Sequence, residues 1–178
     1  MSSLRDEIYN TLQSPDLGSR IRAIRQLPNL NSLESLQVIE AIVKSDQNLG
    51  MKIEALTILP DITHSPSYNE TCRILQIALC DSDPEVVRNA LLAIQRMPGD
   101  LPVNLLTDRI FQLLNAEDTD LQYHAILSLS RLRSQISSQA MSFYILPLTH
   151  HRNVTLREAA KSALCFLVSD TEGKRAPP

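Results

Sequence analysis

His150 and His151 stand side by side, and Cys72 and Cys80 lie eight residues apart, on or just beyond one apolar stretch. These are the residue types that could hold a metal or attack an electrophile. Adjacent histidines point apart on a helix or a turn, and neither has a cysteine or carboxylate at ligand spacing, so the pair reads as a solvated turn. His64 falls in a loop and His124 on a helix beside its buried stripe, each without a partner in sequence. Cys72 and Cys80 read as small apolar residues of a core, whereas Cys165 falls at an outward position and is the thiol expected to react. Three scattered cysteines give no disulfide framework and fit reduced thiols in the cytoplasm. There is no Gly-x-Ser-x-Gly turn and no defensible carboxylate pair, and four glycines in the whole chain leave no phosphate-cradling loop. The sequence therefore offers no catalytic residue, no metal ligand and no cofactor site, which favours a binding role over an enzymatic one.

Charge narrows the binding role. Seventeen basic and 20 acidic side chains leave a net charge of −3, against the basic surplus that nucleic-acid binding by counterion release requires. No tryptophan and 4% aromatic residues leave few platforms for stacked bases. Arg5, Asp6 and Glu7 occupy the place where a secretory signal carries its apolar run, and no stretch nears the ~20 apolar residues of a membrane span. Asn69-Glu-Thr71 and Asn153-Val-Thr155 match the glycosylation pattern, but without a secretory signal they read as coincidence.

The elements that would carry a binding surface are written in a repeat. LGSRIRAIRQLP (17–28) returns as LGMKIEALTILP (49–60). DPEVVRNALLAIQRM (83–97), DTDLQYHAILSLSRL (118–132) and NVTLREAAKSALCFL (153–167) each place apolar or small residues at a helical period. Their stripes are Val86, Ala90, Ala93, Ile94, Met97, then Leu121, Ala125, Ser128, Leu129, Leu132, then Leu156, Ala160, Ala163, Leu164, Leu167. Taking Ala23, Ala55, Ala93, Ser128 and Ala163 as equivalent small residues gives one supersecondary unit per period, the mark of a solenoid. Second apolar stretches at 3–12, 32–43, 68–79, 102–114 and 137–148 read as the preceding helix of each unit. The turns between are rich in Asp, Ser and Asn, which cap helix N-termini. Asp83-Pro84-Glu85 is the clearest, with cap, first-turn proline and first-turn acid in order. Pro147 should end its helix near Leu146. The reading is all-α.

On DPEVVRNALLAIQRM the chain resembles the HEAT-repeat family, whose second-helix signature has Asp-Pro, Val, Arg and spaced small and apolar residues. The resemblance implies a right-handed α–α superhelix (an α-solenoid) of about five hairpins, at 3–28, 32–60, 68–98, 102–133 and 137–168. They form one array over 1–168, with a disordered tail at 169–178. It also implies that second helices line a concave face. On that face would lie Arg22, Arg25, Glu54, Arg88, Leu92, Gln95, Tyr123 and Leu127, and outward positions of the last helix include Glu158, Ser162 and Cys165. An apolar patch edged by Arg and Tyr has the composition of a protein-binding hot spot. The family's iron-dependent hydroxylases use His-Glu pairs, and the chain contains no such dipeptide.

The expected function is a non-enzymatic scaffold, adaptor or assembly factor in the cytoplasm, binding a partner protein and neither nucleic acid nor membrane. The alternative is a bilin lyase or lyase-like chaperone of the phycobilisome type, similar in repeat style and size. Such proteins often act as two-chain partners, so a hetero-oligomer is among the expectations.

Overall fold

A computed structural model describes residues 4–62 and 68–172, with side chains up to Cys165 except that of Val103. His64 and residues 173–178 lie outside the described residues. Among those described there is no strand. The chain divides into two compact units, Met1–Leu105 and Leu106–Pro178.

The first unit holds α1 (Leu4–Leu12), α2 (Leu17–Gln26), α3 (Ser32–Ser45), α4 (Leu49–Ile62), α5 (Tyr68–Leu79) and α6 (Pro84–Arg96). α1 pairs with α2, α3 with α4 and α5 with α6. The second helices also pack on one another, α2 on α4 and α4 on α6, while α3 packs on α5. Two layers result, with Ile24, Leu36, Ile39, Leu56, Leu75 and Leu91 buried between them. Each such side chain withdrawn from water contributes about 1.5–3 kcal/mol before entropy is counted.

The second unit holds α7 (Thr107–Leu113), α8 (Thr119–Arg131), α9 (Ser138–Ile145) and α10 (Val154–Glu172). α7 packs on α8, α9 on α10, and α8 on α10. Ile110, Ala125, Ile126, Leu129, Met141, Ile145 and Ala160 form its core.

Every second helix begins on a side-chain cap that the turn sequences anticipate. Asp16 accepts from the Ser19 N–H at 2.8 Å, Asn48 from Met51 at 3.2 Å, and Asp83 from Glu85 at 2.8 Å. Asp118 accepts from Asp120 at 2.8 Å, and Asn153 from Leu156 at 3.2 Å. Each satisfies an amide that the helix start leaves without an intrahelical acceptor. Counted from these caps, the equivalent small residues are Ala23, Ala55, Ala90, Ala125 and Ala160, none more than 2% exposed. The sequence alignment of small residues is thus one helical turn late in the last three units. Ala93, Ser128 and Ala163 are buried too, so a stripe of two small residues hid the slip. Of the predicted stripes, Leu164 is half-exposed, and the Leu167 side chain lies outside the described residues.

Several boundaries differ from the sequence reading. The stretch 102–114 yields α7 only from Thr107, after a 3₁₀ turn at Val103–Leu105. α9 ends at Ile145 and continues as a 3₁₀ segment through Pro147, as that proline demands. The second Leu-Pro does not close its helix: Pro60 sits inside the last turn of α4, where its fixed φ suits the helix and one amide is lost. α10 runs to Glu172, so residues 169–172 of the expected disordered tail are helical.

Candidate functional site

The outward sides of α8 and α10 enclose a groove of about 400 Å³. Tyr123, Leu127 and Ser130 come from α8, and Thr155, Glu158, Ala159, Ser162 and Ala163 from α10. The caps at Asp118 and Asn153 put Tyr123 and Glu158 at the same step of their helices, and Leu127 and Ser162 one turn further on. Tyr123 and Leu127 are half-exposed, so neither is spent on the core. The small Ala159 and Ala163 opposite them leave the cleft open. Around these walls stand the three aliphatic hydroxyls of Ser130, Thr155 and Ser162, the Tyr123 phenol and one carboxylate. Ser130 turns its hydroxyl back to the Ile126 carbonyl at 2.9 Å. Glu158 accepts from Lys161 at 2.9 Å and lies 3.7 Å from Arg157, and the Lys161 hydrogen bond foremost holds its carboxyl below the ordinary value.

The six remaining predicted site residues lie in the first unit, on α2, α4 and α6. Arg25 crosses from α2 to α4 and grips Glu54 with both Nε (2.7 Å) and Nη2 (3.2 Å). Arg22 is exposed and bonds Ser19 within its own helix at 2.7 Å. Arg88 pairs with Glu85, one turn before it on α6. Leu92 and Gln95 are half-exposed. This charge is therefore engaged, by Arg25 and Glu54 between helices and by Arg22 and Arg88 within their own.

The links between hairpins were missed by sequence reasoning. Arg20 on α2 donates to Asp46 in the turn before α4, at 2.5 Å, and Lys52 on α4 donates to Asp81 in the turn before α6, at 2.6 Å. The other oxygen of each carboxylate accepts the N–H of the coming cap, Asn48 at 2.8 Å and Asp83 at 2.9 Å. Burial opposes ionisation of Asp81, but the Lys52 hydrogen bond and the Asp83 amide outweigh it, and the carboxyl lies below its ordinary 3.8. Arg20 and Lys52 hold the same place in the two repeated dodecapeptides, which was the available signal. At the corresponding steps of the sequence stand Val87 and Ala116, neither of which carries a charge. In the second unit Gln122 instead donates to the Leu114 carbonyl at 2.9 Å, and Arg157 to the His151 carbonyl at 3.0 Å.

The chemistry-bearing residues divide differently from expectation. Cys72 is buried, and desolvation pushes its thiol up to about 11. Cys165 is exposed as expected, but so is Cys80, which caps no core; it lies just past the end of α5. His151 serves the turn as well as solvent, its Nδ1 accepting from the Asn153 N–H at 3.2 Å. His124 has a partner after all, Asp120 at 3.9 Å. No three His, Cys, Asp or Glu residues among those described are grouped to hold a metal ion. Among the described residues no helix is long and apolar enough to cross a membrane.

No protein-family model and no curated protein sequence matches the chain. Solved structures do. A designed armadillo repeat protein in complex with the peptide (KR)4 is 16% identical with a TM-score of 0.63, over 88% of this chain and 79% of that one. A structure described as the basis of microtubule plus end tracking by XMAP215, CLIP-170 and EB1 is 14% identical with a TM-score of 0.63, over 96% and 84%. An engineered protein is 16% identical with a TM-score of 0.60, over 97% and 86%. At such identities the likeness is one of fold, and with the paired, capped helices it identifies the chain as an all-α helical-repeat protein of the α-solenoid type.

Proposed function

We propose that this chain is a protein-binding module, a scaffold, adaptor or assembly factor without enzymatic activity, and that second-helix surfaces carry its partner. The groove between α8 and α10 carries the reading: two half-exposed large side chains, Tyr123 and Leu127, flank a cleft kept open by Ala159 and Ala163. An aromatic and an aliphatic anchor inside a polar rim is the composition of interface hot spots. The designed armadillo protein, similar in fold, holds a peptide, which supports the same use here. On this reading the five capped hairpins are repeats of one kind, near the boundaries drawn from the sequence, with α4 and α10 running a few residues beyond them. The wider site adds Arg22, Arg25, Glu54, Arg88, Leu92 and Gln95, in which Arg25 and Glu54 would meet a partner as an ion pair already joined. The exposed thiols of Cys80 and Cys165 are in keeping with a reducing cytoplasm.

The test is recovery of the partner with the intact chain, followed by Tyr123→Ala and Leu127→Glu, with Gln76→Lys on the exposed side of α5 as control. Removing such an anchor costs about 2 kcal/mol, roughly thirtyfold in affinity. Circular dichroism should be unchanged in all three. Loss of binding in the control with retention in the other two would move the site to the first helices. A coloured tetrapyrrole carried by the purified chain would assign it instead to the bilin lyases.

A further inference from the structure

The second unit carries another built cleft, on its first helices. Phe111 of α7 and Tyr144 of α9 stack with centroids 4.2 Å apart and planes 21° from parallel, and Phe143 meets Tyr144 edge-on at 5.1 Å. Phe111 is buried, but Tyr144 is exposed and Phe143 is 73% exposed. The stacked pair walls a groove of about 290 Å³ with Asp108, Gln112 and Asn115. Asp108 is exposed and has no hydrogen-bond or ion-pair partner among the described residues. Its neighbour Arg109 is turned to Gln112, donating to Oε1 at 3.1 Å.

We propose that this cleft binds an arginine side chain of a partner polypeptide, at a site separate from the α8–α10 groove. Aromatic rings attract a cation to their faces, and a guanidinium can lie flat on a ring while its N–H fork donates to a carboxylate. The exposed ring of Tyr144 and the carboxylate of Asp108, both lining the cleft, supply the two halves of that recognition. An apolar occupant would bury the Asp108 charge without compensation. A lysine brings a compact, strongly hydrated ammonium that cannot stack as a plane.

The experiment is a titration of the ¹⁵N-labelled full chain with a capped Gly-Arg-Gly-Arg-Gly peptide, beside the same peptide with both arginines replaced by citrulline. Citrulline keeps the shape and removes the charge. The arginine peptide should shift amides of 107–115 and 138–145, and the citrulline peptide should not. Asp108→Asn and Tyr144→Ala should each weaken binding about tenfold or more, with the rest of the spectrum unchanged to show that the fold is intact. Equal response to citrulline, or an Asp108→Asn variant that binds as wild type, overturns the proposal. So does a self-associating chain whose dimer is dispersed by Phe143→Ser and unaffected by the arginine peptide, since the rings would then serve a second copy.

Discussion

Gly99 is the one glycine among those described that the backbone requires, with φ at 66° and a Cβ position only 2.2 Å from the Tyr68 hydroxyl. That hydroxyl donates to the Pro98 carbonyl at 2.9 Å, so the side chain cannot simply withdraw. Gly99→Ala should cost about 1–2 kcal/mol from the left-handed backbone alone, and more from the clash, read as a lower denaturant midpoint. In a Tyr68→Phe background the added cost should shrink. The thiols give a second outcome at this scale. Cys72, held as the thiol by burial, should resist brief alkylation while Cys80 and Cys165 are modified, and mass spectrometry of the intact chain reads the order. Cys165 was legible because its helix stripe is strongly periodic. Cys80 was not, because it lies past the last periodic residue of α5, where no stripe assigns a side.

At the scale of helices, the Lys52–Asp81 and Arg20–Asp46 links should matter more than surface pairs do, since all four side chains are largely withdrawn from solvent. Asp81→Ala removes the acceptor of both Lys52 and the Asp83 amide, and should destabilise the fold by about 2–4 kcal/mol. The pH dependence has a definite sign. A carboxyl whose folded pKa is depressed contributes stability above the unfolded value and loses it as pH falls through the folded one. The gap between wild type and Asp81→Asn should therefore be steady near neutrality and narrow only below about pH 4. Thermal melts across that range decide it. The caps and stripes were readable because they are local. These links were not, because their partners stand 26 and 29 residues apart and meet only when one hairpin packs on the next.

The molecule as a whole was legible as an all-α repeat, since periodicity, caps and turn chemistry agree within every hairpin. Its clefts were not. Tyr123 and Leu127 were found from their outward register, but Thr155 and Ala159, which shape the space beside them, carry no signal in a single sequence. Nor did Asp108, Phe111 and Tyr144 stand out, because their cleft joins helices whose boundaries the sequence misplaced. Protection should be uneven within each unit. α4 lies between α2 and α6 and contributes Met51, Ala55, Leu56 and Leu59 to the core, whereas α1 contributes Ile8. Amide exchange should be slowest in α4 and α6 and much faster in α1, and equal rates would refute that ordering.

The doubly used carboxylates also make the fold extensible. Asp46 and Asp81 each receive a cation from the hairpin before and fix the cap of the helix after, so a splice is tolerated only where it keeps both halves of the device. A tandem copy of residues 48–82 does so: each copy brings its own cap, its own Lys52 and its own Asp81. Such a lengthened chain should keep its helical content per residue and melt no lower than the original. The same number of residues inserted after Asp81 would part the carboxylate from the amide it holds, and the chain should lose its cooperative transition. The repeat is thus a measure of permitted growth, with whole periods as its unit.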